Sequence, residues 1–472
     1  MILTAATPQA LEAKVSFDPT AHTFEACGTW TFDAAGPAPY VLASGVTAKL
    51  DAEPAPEGLL VPEDRRVAFR AWGAVDRPGE NFVGPDAVLL NGVTFQFYPR
   101  FEGSVDTVVR VEAPEGWIVR ATGDAEGDGF HAPTTRWFLV AGRKGGHELR
   151  RGDLGVVVAE EATAGPFLDA LERITAELEG WYGRRPSRTL TVVEVPFDGG
   201  FSGIGLIVVH GGAVRSFSEG DREGAFLAHE IAHQWFGGVL DSTNAIREGL
   251  ATYTALRYER ARSAARGERY RERLLEMASR ARPGRTIQEI TRADGWRDYE
   301  AVAYARSALV FDQVREQIGD DRFHALLRRW VSTASVTQAM SFDEFLAPLD
   351  EIAPELDVDR FVARTVDADW DPRTNEVRRE VTTISGKIAA LCVALTFLFA
   401  RRFAPVEGLA AAGVALWMVR LPWVIAWPVI AGIALVLGGT YLLPDGYRGW
   451  AVIGYFVAVA ACSACCGASP PM

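Results

Sequence analysis

The sequence predicts a multidomain chain: an all-β N-terminal domain over residues 1–160, an α+β, mostly helical domain over 161–370, a linker over 371–383, and three or four transmembrane helices within 384–466. Three observations carry this reading. Up to about residue 160 the chain is rich in Gly, Pro and short alternating or β-branched runs; from Gly165 the apolar residues recur at helical spacing; and near residue 383 charged residues almost vanish. With 472 residues, 48% of them hydrophobic, there is material for two or three cores, which excludes a disordered or collagen-like protein and a single small module.

In the first region Val93–Tyr98, Thr107–Val111, Trp117–Arg120, Thr134–Val140 and Leu154–Val158 read as strands. Phe167, Leu171, Ile174, Leu178 and Trp181, spaced by four and three, then make one stripe of a helix that ends near Gly183. Thr189–Val195 and Ile204–Val209 read as strands separated by a glycine-rich bend, with Ile204–Val209 as an exposed edge open to backbone pairing. From there to about residue 367 the pattern is mostly helical, and Ser341 with Glu344 forms a capping box. Ten arginines and four glutamates over 256–285 fit solvated helix faces. Beyond 383, Leu421–Leu443 is long enough to cross a bilayer and Trp450–Cys466 nearly so, whereas Ile384–Ala400 and Phe403–Val419 are shorter and carry Lys387 and Glu407.

Charge and cysteine usage narrow the partners. Net charge is −13, and residues 383–472 hold five positive and two negative side chains, so residues 1–382 carry −16, which argues against nucleic acid as a partner. Four of the five cysteines lie in the apolar tail (Cys392, Cys462, Cys465, Cys466), leaving Cys27 alone in the remainder and no disulfide framework. The first twenty residues lack a basic segment followed by an apolar one, and the expectation is a multi-pass membrane protein whose folded domain faces the cytoplasm.

The chemistry concentrates in His229-Glu230-Ile231-Ala232-His233, an H-E-x-x-H motif. Positions four apart share a helix face, so both imidazoles can reach one ion while Glu230 lies beside it. Zinc takes such ligands together with a third, and Glu248, on a second helical segment, supplies the carboxylate. One zinc per chain, with Glu230 as the base that takes a proton from water and passes it to the leaving amine, is the resulting expectation. Two histidines on a helix face also occur as ordinary core or surface residues, and Glu248 as a surface residue paired with Arg247 or Arg257 is the plain alternative.

H-E-I-A-H-Q-W-F-G followed by R-E-G-L-A-T-Y resembles the zinc-binding core of the aminopeptidase N and leukotriene A4 hydrolase family, thermolysin-like gluzincins. Tyr304-Ala-Arg-Ser-Ala-Leu-Val310 is similar to that family's Y-x-K-G-A-x-L segment, and Ile318-Gly-Asp-Asp-Arg-Phe323 to the segment after it. The resemblance covers roughly residues 165–367. It implies a zinc peptidase acting on peptides or proteins, with His229, His233 and Glu248 as ligands, Glu230 and Tyr304 as catalytic residues, and Tyr304 donating to the oxyanion.

Two departures from the pattern bear on specificity. Fourteen residues separate His233 from Glu248 where the family has eighteen, which makes Asp241 a poor substitute ligand. Gly199-Gly-Phe-Ser-Gly-Ile-Gly-Leu-Ile207 aligns with the family's G-x-M-E-N-W-G-L-I strand and puts Ser202 at the glutamate that binds a substrate's free amine. Ser202, Gly203 and Gly205 are the predicted substrate-binding residues. Without that charge, endopeptidase action, a different exopeptidase mode and a metal site with altered chemistry all stay open. The competing reading is a catalytically weak, peptidase-like membrane protein that binds peptides or partners.

Overall fold

The computed structural model describes residues 5–55, 58–75, 81–219, 224–237, 243–333 and 340–367. The linker over 371–383 and the predicted spans within 384–466 lie outside the described residues, as do Asp241 and four of the five cysteines. No helix among the described residues is long and apolar enough to cross a membrane.

The N-terminal region is all β. Its largest sheet has seven strands, in the spatial order 124–126, 129–135, 105–112, 8–18, 23–32, 66–74 and 47–50. Pro8–Asp18 alternates inward and outward side chains, with Leu11, Ala13, Val15 and Phe17 in the core, as period-two burial requires. Two strand expectations are corrected. Val93–Tyr98 is a turn and loop rather than a strand; the strand is Ala87–Asn91, and the loop tucks Phe97 and Tyr98 into the core against Phe138. Thr134–Val140 straddles the end of Gly129–Thr135 and the start of Leu139–Lys144, which belong to different sheets.

A four-stranded sheet of this region (117–121, 139–144, 87–91, 82–83) packs on a five-stranded sheet in the order 147–151, 154–158, 190–195, 206–210, 200–203. The five-stranded sheet draws on residues either side of 160. Its three central strands are parallel and buried on both faces. Val157, Val193, Val195, Leu206 and Val208 meet Leu89, Leu139 and Ala141, while Val156, Val158, Leu190, Val192, Ile207 and Val209 face the helices. That division explains why these strands read as continuous apolar runs. At roughly 1.5–3 kcal/mol per full-sized buried apolar side chain, this contact outweighs the hydrogen bonds across it at about 1 kcal/mol each. Those bonds set position instead: Asp124 accepts from Ser187 Oγ (2.8 Å) and the Thr189 backbone N–H (2.7 Å), and Gly123 N–H donates to Ile204 O (2.7 Å).

The edge strand is also corrected. Ile204–Val209 is not the edge: Leu206–His210 lies inside the sheet, and Gly200–Gly203 folds back along it as the exposed edge. The hairpin turn needs Gly205, whose φ is +74° and whose Cβ position would sit 2.6 Å from Ser187 Oγ.

Helix α1 (Glu161–Tyr182) buries Phe167, Leu171, Ile174 and Leu178 completely, and Gly183 ends it with φ +90°. Trp181 is only partly buried and Tyr182 closes the stripe instead. Helices α2 (Gly211–Ser218), α3 (Gly224–Ala232), α4 (Asn244–Arg262) and α5 (Ala264–Ala278) follow, then a π-helical turn Glu300–Arg306 running into Ser307–Ile318. The capping box at Ser341 is present in both directions. Arg266 and Arg271 of α5 pair with Glu259 and Asp312, and Arg280, just past its end, pairs with Glu276.

His324, on the helix Asp320–Thr333, contacts Tyr253 Oη at 3.4 Å. Burial, reinforced by the Arg257 charge, pushes its pKa from 6.5 down to about 4. Between those values the unfolded chain takes up a proton that the fold disfavours, so stability present above pH 6.5 is lost as the pH falls toward 4. In His324→Gln the decline of Tm over this window is shallower than in the parent; equal slopes in thermal melts would show that His324 contributes nothing to it.

Candidate active site

His229 lies in the last turn of α3, and His233 sits just past its end, where the chain tightens with Trp235 N–H and Phe236 N–H both donating to Ala232 O. The two Nε2 atoms still face each other at 3.2 Å. Glu248, one turn into α4, brings Oε2 to 3.6 Å from His229 Nε2 and 3.3 Å from His233 Nε2. Glu248 is 4% exposed, so the surface reading of this residue fails. Gly249 explains how α4 comes so near the helix Ser307–Ile318: a Cβ there would lie 2.5 Å from Ser307 Cβ and 2.9 Å from the Phe311 ring.

The surrounding bonds aim the three atoms. His233 Nδ1–H donates to Phe236 O (2.9 Å), and His229 Nδ1 pairs with Thr252 Oγ1 (3.3 Å), one turn along α4 from Glu248. Phe236 O fixes the His233 proton on Nδ1, and Thr252 Oγ1 is able to accept from His229 Nδ1–H; in that state each Nε2 presents a lone pair inward. Arg247 donates from Nε and Nη2 to Glu248 Oε1 (3.3 Å each), while Glu248 Oε2 is buried with no hydrogen-bond donor. Three acceptors therefore converge on one point, and that arrangement calls for a cation. Ligand atoms about 2.0–2.1 Å from a tetrahedral zinc lie about 3.3–3.4 Å apart, close to the separations seen here. The donor set fits zinc.

Glu230, 5% exposed, points to the same cavity. Burial pushes its carboxyl above the usual range, against the opposing charges of His229 and His233. Burial has the same sense at Glu248, but His233, His229 and Arg247 prevail and hold it well below that range. Gly200, on the edge strand, leaves room for the Glu230 carboxylate: a Cβ there would be 2.5 Å from Oε1. Ser202 Oγ donates to Glu230 O (2.7 Å) and reaches Oε2 at 3.1 Å.

Tyr304 stands in the π-helical turn, where an extra residue per turn re-aims its side chain. Its ring stacks on His229 with centroids 5.5 Å apart and planes 8° from parallel. Burial, with Glu248 nearby, raises the phenol well above 10, which keeps it a hydrogen-bond donor.

The cavity holds 790 Å³ and is lined by His229, Glu230, His233, Glu248, Tyr304 and Ser202. Gly203 and Gly205 are not part of its lining. They are buried at the end of the edge strand and in its turn, where Gln234 clamps them: Gly205 N–H donates to Gln234 Oε1 and Gln234 Nε2 donates to Gly203 O, both at 2.9 Å. The sequence reading missed Gln234, Gly200 and Thr252. Gln234 directly follows the second histidine, and a polar residue inside an otherwise apolar Trp-Phe context is the one signal that marks it.

The family model described as the peptidase family M1 domain matches residues 208–365, which contain all three candidate ligands, Glu230 and Tyr304. Residues 208–365 are thus similar to a peptidase family M1 domain. Among solved structures, the M1 zinc metallopeptidase from Deinococcus radiodurans is similar at 17% identity with a TM-score of 0.58, covering 78% of this chain and 95% of that one. A mutant of the same protein bound to a Tyr-Ser-Ala substrate is similar at 18% identity and TM-score 0.57, with the same coverage. These structures share the fold. No curated protein gives a significant match.

One divalent ion per chain is the expected content by metal analysis, and chelation lowers Tm until zinc is restored. His233→Ala cuts zinc affinity by at least about tenfold, since even outer-shell changes cost that much. Unchanged metal content in that variant would remove the M1 centre from this cluster.

Proposed function

We propose that this M1 enzyme is a membrane-tethered zinc metallopeptidase that hydrolyses peptide bonds with Glu230 as general base. Its class is zinc metallopeptidase, aminopeptidase-like, and its substrates are peptides. The observation that carries the mechanism is the convergence of His229, His233 and Glu248 beside Glu230 and Tyr304 in one cavity. When bound, zinc supplies Lewis acidity to the attacking water and the scissile carbonyl. Glu230 accepts the proton from that water and delivers it to the departing amine, a task suited to a buried carboxylate with a raised pKa. Tyr304 Oη donates a hydrogen bond to the carbonyl oxygen as it gains charge. Thr252 and Phe236 O hold the imidazoles in the tautomers that the ion needs.

Ser202 faces Glu230 and brings no charge to the strand position aligned with the amine-binding glutamate. The free amine of an aminopeptidase substrate thus lacks its main electrostatic partner at this position. The exposed strand Gly200–Gly203 offers backbone pairing to an extended peptide in any register, which suits an endopeptidase or a less strict exopeptidase.

A mixed peptide library incubated with the detergent-purified, zinc-loaded chain yields products by mass spectrometry that disappear in Glu230→Gln, although that variant keeps its metal. Tyr304→Phe lowers kcat by about 10²–10³-fold, as loss of an oxyanion donor does. Internal cuts mark an endopeptidase, and stepwise shortening from the amino end an aminopeptidase. Absence of any Glu230-dependent product would favour the peptide-binding alternative.

The tether rests on the apolar runs within 384–466, which lie outside the described residues. The full chain is expected to stay with the membrane pellet through alkaline carbonate extraction; its release into the supernatant would remove the tether.

A further inference from the structure

The two sides of the cleft differ in charge. On the sheet side stand Phe197 and Phe201, stacked 5.3 Å apart, with Asp198 beside them and the neutral Ser202 beyond. On the helical side α5 presents Tyr270, Arg273, Leu274 and Met277 at intervals of three and four, and Arg292 opens the short turn Arg292–Asp294. Each guanidinium lies over an aromatic ring: Arg273 is 5.0 Å from the Tyr270 centroid and Arg292 is 5.6 Å from that of Tyr299. Arg292 also hydrogen-bonds Tyr299, and a guanidinium carries five N–H donors, more than one such partner occupies.

Arg273 has no carboxylate partner among the described residues, although Arg266 and Arg271 of the same helix are both ion-paired. Arg247, a third guanidinium lining the cavity, is committed to Glu248. Of the carboxylates lining the cavity, Glu248 and Glu230 belong to the metal centre, and Asp198 is exposed on the opposite side.

We propose that Arg273 and Arg292 form a carboxylate-binding subsite on the helical side of the cleft, so that the preferred peptide presents a negative charge there. The fork of a guanidinium matches a carboxylate in geometry, and the partly shielded cleft strengthens the attraction relative to open solvent. The C-terminal carboxylate of a short peptide and an Asp or Glu side chain offer the same chemistry. That the ligand is a peptide rests on the peptidase function proposed above.

The test measures binding of fluorescent peptides by anisotropy to the full-length, zinc-loaded Glu230→Gln chain, which keeps the ligand uncut. One pair of peptides differs only in a free or amidated C-terminus, and a second, amidated pair only in Glu or Gln at an internal position. At least one pair shows tighter binding of the charged member by about fivefold or more, and the first or second pair identifies the source of the charge. Arg273→Met and Arg292→Met bring that ratio to about one, while Arg273→Lys, which keeps the charge, retains part of it. Ratios near one in the parent, ratios unchanged in both Met variants, or no binding of any of the four peptides overturn the subsite. Charge discrimination in a chain whose parent form cleaves nothing would uphold the subsite and sink the peptidase function. Glu230-dependent cleavage without charge discrimination would do the reverse.

Discussion

The structure of the catalytic region is arranged around an unfavourable burial. His229 Nε2, His233 Nε2 and Glu248 Oε2 converge at separations of 3.2, 3.3 and 3.6 Å, and Glu248 Oε2 is buried without a hydrogen-bond partner. A buried carboxylate oxygen left in that condition costs several kcal/mol, so the close packing of α3 on α4 is only affordable with a cation at the point of convergence. Everything near the point serves its geometry. Gly249 lets α4 press against Ser307 and Phe311, Arg247 neutralises the other Glu248 oxygen, and Thr252 and Phe236 O turn both imidazoles the right way.

The β-rich region takes part in this by fixing the strand that covers the site. Apolar contact between the two sheets supplies the adhesion, whereas Asp124 and Gly123 pin the loop before Leu190–Val195 and the tip of the 200–210 hairpin. Gln234 completes the hold from the opposite side, through one donor and one acceptor on the same hairpin. An edge strand is ordinarily the least restrained part of a sheet. Here it is held at its turn by two elements, so that Gly200 and Ser202 lie against Glu230. Glycine at 200 is required by contact with the carboxylate rather than by backbone conformation, since that is where a methyl group would collide. The serine hydroxyl spends its bond on Glu230 and leaves the adjoining space to substrate.

Much of this was readable from residue order. The period-four spacing of His229 and His233 puts two candidate ligands on one helix face, while resemblance to the aminopeptidase N motif singles out Glu248 and Tyr304. The α1 stripe, the buried strands 154–158 and 190–195, and the Ser341 cap were legible for the same reason: each is written in local spacing. What local spacing does not encode is which strand ends up outermost. The sequence reading puts Ile204–Val209 at the edge, but Gly200–Gly203 folds back outside it and occupies that place.

By itself, then, the sequence determined the paired histidines, the adjoining Glu230 and the change from β to helical structure, all of which follow from periodicity and residue chemistry within short stretches. Tertiary structure alone decided the rest. It removed Gly203 and Gly205 from the cavity lining by burying them under Gln234, turned Ser202 toward Glu230, and placed Arg273 and Arg292 together with the metal centre though they are forty or more residues from His229. The physical reason is common to these cases: a side chain's partner across a packed interface depends on how layers and helices dock, and docking is set by the shape of buried surfaces that no single window of sequence contains.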